Sequence, residues 1–324
     1  MAATEDDDAT EDDDATEDAT GTDTVARARW LEFLAMLRVH FQAWWEGYEV
    51  DWPDTAEDDA EEDGPSGWSA PRFQVVEGLW GQGFSTPGEK QHILALIKPL
   101  GLDRKKRVLD INPGLGGTTR IIAKETGAWV VGLESNETLA NNGMERSILA
   151  SLAEQAPIKL YRPPKLGIDA GTIDAVISKE SLFTVADKGK LFQSIYDVLK
   201  PVGEFLFTDF LLANGKIKDA GVKSWMAEEK PQPMPWTLKL MTTRLEKIGF
   251  ELRRSDDITD QLRKVVLLGW KQYVAGLKPD TLNEEGRAAM MEELDLWTKR
   301  LMLMESGELR CHLFHATKSA LKPR

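Results

Sequence analysis

Residues 107–126 read "RVLDINPGLGGTTRIIAKET": an apolar run closing on an acid, a glycine-rich turn, then a helix-forming stretch. This strand–turn–helix narrows the choice of fold more than any other feature, because glycines there let backbone N–H groups approach a ligand at the helix start. The alternation continues downstream. "AWVVGLE" (128–134), "IKLY" (158–161), "IDAVIS" (173–178) and "GEFLFTDFLL" (203–212) read as strands. Between them lie the helical patterns "ESNETLANNGMERSILASL", with Ser135 or Asn136 placed to cap it, and "DKGKLFQSIYDVLK". Strands alternating with helices at these lengths predict an α/β fold: a doubly wound, mostly parallel sheet with helices on both faces. In such sheets ligands bind beyond the carboxyl ends of the strands, beside the first strand's turn.

The details of the turn discriminate among ligands. A dinucleotide fingerprint wants a third glycine in G-x-G-x-x-G, but Gly114 and Gly116 are followed by Gly117 and then by Thr119 at that place. No G-K-[ST] follows, so a Walker-type phosphate loop is excluded. Asp110 adds negative charge beside the turn, which suits a cationic ligand better than a pyrophosphate. Glu134 closes the second strand, where a carboxylate can accept hydrogen bonds from two ribose hydroxyls. A sulfonium nucleoside satisfies both conditions.

With "VVGLES", "GTIDAVISKESL", "VLKPVGEFLFTDF" and "LEKIGFEL" following in order, the chain resembles the class I S-adenosylmethionine-dependent methyltransferases. "LWGQGFSTPGEKQHIL" before the first strand and the ending "GELRCHLFHATK" are similar to the phosphoethanolamine N-methyltransferase branch, so the resemblance covers about residues 68–318. It implies a Rossmann-like sheet of seven strands and S-adenosyl-L-methionine as cofactor. Gly114, Leu115, Gly116 and Gly117 would pass close to its methionine part, Asp110 would support the turn, and Glu134 with Ser135 would take the ribose side. Ser85 and Thr86 match positions that close over the cofactor, and Ser178 and Lys179 end the fourth strand beside the transferable methyl group.

Departures from the branch fall on substrate positions. Trp68 and Thr184 stand where it has a catalytic tyrosine and histidine, and Pro163 or Pro164 stands where an aspartate near the adenine amino group is expected. Phe210 replaces a tyrosine that touches substrate phosphate, and "PMPWTL" around Trp236 lacks an expected arginine. The positions that would hold substrate phosphate thus read as apolar or neutral. Methyl transfer tolerates this, because alignment of a nucleophile with an activated methyl group and removal of water supply much of the rate. Lys179, Glu180 and Asp209 are weak candidates for acid–base work near the strand ends; structural ion pairing is the commoner role for such groups.

Residues 213–305 are expected to form a helical, substrate-facing part. Trp270, Tyr273, Met290, Met291, Trp297, Met302 and Met304 would line an adaptable pocket or, equally, form a seam between helices. The function read from the chain is methyl transfer to a non-phosphorylated, partly apolar small molecule. The alternative is a catalytically degenerate methyltransferase fold serving as a scaffold or regulatory binding protein.

Charge divides unevenly. Residues 1–23 carry eleven acids and no base, and residues 51–63 carry eight more acids; without them 40 basic residues face 35 acidic ones. Both acidic stretches, 1–23 and 51–66, read as a disordered tail and linker, since such runs repel themselves and bury little apolar surface. Between them, residues 24–50 place Trp30, Leu31, Leu34, Leu37, Phe41 and Trp44 on one helix face. That face calls for the body, a second copy of the chain or another partner; a membrane surface is the competing reading, opposed by the flanking acids. The methyltransferase domain itself is assigned to 67–324.

The single Cys311 and the spacing of His40, His92, His312 and His315 give no metal site. No concentrated basic stripe points to nucleic acid. No apolar run is long enough for a transmembrane segment, and the acidic N-terminus resembles no signal or transit peptide, so a cytoplasmic location is expected. Deleting residues 1–23 is expected to leave the melting temperature within about one degree of the full chain, because a like-charged tail makes few persistent contacts. Differential scanning calorimetry checks this; a shift of several degrees would mean that the tail docks.

Overall fold

The computed structural model describes residues 67–278 and 281–320. The acidic stretches and the helix expected over 24–50 lie outside the described residues. Contacts divide the chain into one unit of residues 61–276 and 283–324 and another of 1–60 and 277–282; the sheet belongs wholly to the first.

Two helices, α1 (Ala70–Trp80) and α2 (Lys90–Ile97), precede β1 (Arg107–Ile111), α3 (Gly117–Thr126), β2 (Trp129–Glu134) and α4 (Glu137–Leu149). There follow β3 (Ile158–Leu160), β4 (Ile173–Lys179), α5 (Lys188–Val198), β5 (Leu199–Leu212) and α6 (Ala220–Glu228). The chain ends with β6 (Trp236–Thr237), α7 (Leu238–Ile248), β7 (Phe250–Asp257), α8 (Thr259–Gly276), α9 (Glu284–Ser306) and β8 (Leu309–Lys318). Seven strands lie in the order β3-β2-β1-β4-β5-β8-β7, and the two-residue β6 pairs with β5 off this path. β1 pairs in parallel with both β2 and β4, while β8 runs antiparallel between β5 and β7. The expected doubly wound sheet is therefore present, and the strand order reverses at β1, which opens a crevice at the carboxyl ends of β1 and β4.

Local sequence accounts for many of the boundaries. Asn136 caps α4, its Oδ1 accepting from the Leu139 N–H at 3.0 Å, and Asp219 and Thr237 cap α6 and α7 in the same way. Gly249 ends α7 in a left-handed conformation, with its N–H on the Leu245 and Glu246 carbonyls. Under the sheet Phe192, Phe205, Phe207, Phe250 and Phe314 form one aromatic cluster. Phe207 stacks on Phe205 at 4.4 Å and on Phe314 at 4.8 Å between ring centroids, which knits β5 to β8.

One expectation needs correction. Residues 213–305 are not a continuous helical cap, because β7 leaves it to become the edge of the sheet beside β8. The helical layer instead consists of α6, α8 and α9, joined by α1 from the other end of the chain: Trp80 meets Trp297 edge-on at 5.4 Å. The Trp- and Met-rich set divides accordingly. Trp270, Met290 and Met304 are buried in the seam between helices, the second of the two readings, and Met302 is half exposed. Tyr273 lies against Gly78 of α1.

Truncating Phe207, which is fully buried, to Ala removes contacts from both stacked neighbours. A loss of about 3–5 kcal/mol is expected. Urea unfolding with an unchanged m-value checks it.

Candidate active site

The crevice is built around two strand-end carboxylates. Asp110 is the penultimate residue of β1, and its Oδ2 accepts from Thr119 Oγ1 at 2.7 Å. Glu134 ends β2 and accepts from the Gly114 N–H at 2.8 Å and the Asn136 N–H at 2.9 Å. Burial pushes both carboxyls up to about 7, although hydrogen bonds to the ionised forms pull the other way. Both line one cavity with Gly114 and Ser135. Gly114 has φ +59°, and a Cβ on Gly117 would meet the Gly83 carbonyl oxygen at 2.6 Å, so glycine allows the turn to lie this close to the preceding segment.

That preceding segment, residues 81–88, is held at both ends. The Gly83 N–H donates to Glu77 Oε1 at 2.6 Å, and Glu77 is itself gripped by the Arg146 guanidinium of α4. The Gly117 N–H at the start of α3 donates to the Gly83 carbonyl at 2.8 Å. At the far end Lys179 Nζ donates to Thr86 Oγ1 at 2.7 Å, to the Pro87 carbonyl and to Glu180 Oε2. Ser85 and Thr86 thereby reach the cavity wall.

The predicted residues therefore separate into lining and support. Ser85, Thr86, Asp110, Gly114, Glu134, Ser135, Lys179 and Glu180 converge on the cavity. Leu115 is fully buried, Gly116 makes the left-handed step into α3, Gly117 is its first residue, and Ser178 Oγ donates to the Ile111 carbonyl at 2.9 Å, tying β4 to β1. These four hold the turn in place. Asp209 is removed from the acid–base candidates: it is fully buried, and its Oδ1 accepts from the Phe183 N–H behind the cavity wall. Burial raises its pKa, with the Lys188 ammonium opposing. Glu180 is engaged too, since Oε1 accepts from Thr208 Oγ1 and Oε2 from Lys179. Trp68 and Thr184 do line the cavity, whereas Phe210 sits fully buried edge-on to Phe183.

The other end of the cavity holds charges that those positions do not reveal. Its walls are not simply apolar or neutral, for Arg72, Glu229, Glu293 and Arg300 all face it. Arg72 binds Glu293 at 2.7 Å, and Arg300 grips Glu229 with Nη2–Oε1 at 2.6 Å and Nε–Oε2 at 3.0 Å. Trp68 covers Arg72 at 4.2 Å and Trp297 covers Arg300 at 4.7 Å. Glu293, Leu296, Trp297 and Arg300 fall at i, i+3, i+4 and i+7 on α9, a spacing that signals one helix face. Sequence reading singled out Trp297 from this face for its size and passed over the charges beside it.

Sheet order and the glycine turn between two strand-end acids give the α/β fold of the class I S-adenosylmethionine-dependent methyltransferases. The sequence profile of a methyltransferase-domain family matches residues 88–255, and the chain belongs to that family. It is 26% identical over 255 residues to phosphoethanolamine N-methyltransferase 1 of Zea mays, covering 75% of this chain and 47% of the maize protein. It is 23% identical over 250 residues to the phosphoethanolamine N-methyltransferase of Plasmodium falciparum, covering 76% and 91% of the two chains. The chain spans about half the length of the plant relatives it matches. In fold it is similar to Haemonchus contortus phosphoethanolamine N-methyltransferase 2, solved with S-adenosyl-L-methionine: TM-score 0.68, 22% identity, 76% of this chain and 56% of that one. No helix among the described residues is long and apolar enough to cross a membrane.

The raised carboxyls make apo stability depend on pH. Between about pH 4.5 and 7 the folded Glu134 holds a proton that the unfolded chain releases, so its contribution is largest at low pH and is lost as pH rises through 7. Glu134→Gln is therefore expected to gain stability relative to wild type, on the order of 2 kcal/mol, between pH 5 and 7.5. Urea unfolding at a series of pH values reads this; parallel curves for the two proteins would contradict it.

Proposed function

We propose that the chain binds S-adenosyl-L-methionine through Asp110, the Gly114–Gly117 turn and Glu134, and transfers its methyl group to a non-phosphorylated, partly apolar small molecule. The observation that carries this reading is the pair of buried carboxylates flanking a turn too tight for a side chain. The residues fit the cofactor. Two carboxyls that lie near 7 alone gain ionisation beside a cation, and Glu134 is oriented by two backbone N–H groups to accept from hydroxyls. Ser85, Thr86 and Ser135 line the same end. When bound, the cofactor supplies an activated methyl group on a sulfonium sulfur.

The chain's own part is alignment and exclusion of water. Segment 81–88, latched by Glu77, Gly117 and Lys179, covers the turn. Trp68, Phe183, Leu296 and Trp297 give the acceptor end flat apolar walls. No histidine lines the cavity among the described residues, and the lining carboxylates Glu180, Glu229 and Glu293 are each bonded to a cation. This favours an acceptor that attacks as a neutral nucleophile, for which proximity supplies most of the rate. A dianionic phosphate would meet arginines already neutralised, and burying it without new donors costs several kcal/mol.

Isothermal titration with the cofactor is expected to show binding by wild type and a loss of about 1–3 kcal/mol in Glu134→Ala. Labelled methyl from the cofactor should appear on members of a panel of apolar amines and phenols and not on phosphoethanolamine. Absence of binding at millimolar cofactor would overturn the enzymatic reading. Robust methylation of phosphoethanolamine would overturn the acceptor class alone.

A further inference from the structure

The acceptor end of the cavity carries cations, yet each buried one is already satisfied. Arg72 directs Nε and Nη2 at Glu293 and Nη1 at the Gly67 carbonyl. Glu293 is 2% exposed, so this carboxylate exists in the interior only as the partner of that arginine. Arg300 closes a two-pronged pair on Glu229, which also accepts from Trp225 Nε1 and is 4% exposed. The flat faces of both guanidinium groups are covered by Trp68 and Trp297. Lys179 is spent on Glu180, Thr86 and Pro87. Lys230 is exposed at the rim, where a hydrated ammonium binds anions weakly.

We infer that Glu293 and Glu229 are specificity-determining residues: as internal counter-anions they occupy Arg72 and Arg300, close the acceptor end to phosphorylated molecules and leave it to neutral or cationic nucleophiles with a flat apolar body. This rests on the cavity assignment of the proposed function and deepens it. The physical basis is competition. A guanidinium fork fits one carboxylate or one phosphate edge, and the protein's own carboxylate is tethered at the site with a high effective concentration. Removing that carboxylate's charge while keeping its shape leaves a buried, unpaired guanidinium whose best replacement partner is an external oxyanion.

The test uses the full chain without cofactor, so that it stands whether or not S-adenosyl-L-methionine binds. Thermal unfolding and titration calorimetry are run with inorganic phosphate and with phosphoethanolamine, against chloride at equal ionic strength. Wild type and the control Glu292→Gln, whose carboxylate is exposed on the same helix, are expected to show no saturable response. Glu293→Gln and Glu229→Gln are expected to melt lower in chloride, to regain stability in millimolar phosphate, and to bind it at least tenfold more tightly than wild type. Adding Arg300→Met to Glu229→Gln should abolish the gain. If a variant does not fold in chloride, refolding in phosphate becomes the measurement: recovery only in phosphate upholds the inference, and equal yields overturn it. Saturable phosphate binding by wild type, or indifference of both glutamine variants to phosphate, also overturns it. Failure of wild type to bind cofactor would instead overturn the cofactor reading and leave this result standing.

Discussion

The geometry of the crevice depends on one carboxylate placed between two backbone N–H groups. Glu134, at the carboxyl end of β2, accepts from Gly114 in the first turn and from Asn136 at the start of α4. These bonds join the turn after β1 to the helix after β2, and so set the floor on which any ligand must rest. They offset only part of the cost of burying the charge, and the carboxyl is left poised near neutrality. A site that costs stability when empty and gains ionisation beside a cation is one that a cationic ligand completes.

The roof answers to the same logic with opposite means. Segment 81–88 has little regular structure of its own, so it takes its position from Glu77, Gly117 and Lys179 on three different elements. Lys179 is better described as a latch than as a proton donor or acceptor, because all three of its bonds are spent on holding Thr86, Pro87 and Glu180. At the acceptor end the fastening is done from α9, where Glu293 holds α1 through Arg72, and Arg300 holds the segment after α6 through Glu229. Buried ion pairs of this kind add little net stability against well-packed apolar residues. Their consequence here is chemical, since they decide which charges a visitor meets.

Much of the sheet and of the glycine-turn end of the cavity was legible because the signals are local. The strand-end position of Asp110 and Glu134, the glycine run between them and the cap at Asn136 follow from spacing within a few tens of residues. Ser178 and Asp209 show where such reading misleads. Both are polar residues near the carboxyl ends of strands and so read as site residues, yet Ser178 bonds a strand carbonyl and Asp209 turns toward the Phe183 N–H. Ser178 Oγ and Asp209 Oδ1 end on supporting backbone, which a pattern of polar and apolar letters does not encode.

By itself the sequence determined the alternation of strands and helices, the turn that only glycine tolerates and the two acids that flank it, because periodicity and backbone sterics act over short stretches of chain. Only the tertiary structure decided what the acceptor end is made of. Arg72 and Glu293 are 221 residues apart, and Arg300 lies 71 residues beyond Glu229. Each looks like a surface charge in isolation, since helices carry such residues on their solvated faces. The packing of α1, α6 and α9 around one cavity brings them within hydrogen-bond reach, out of water, where a charge must find a partner.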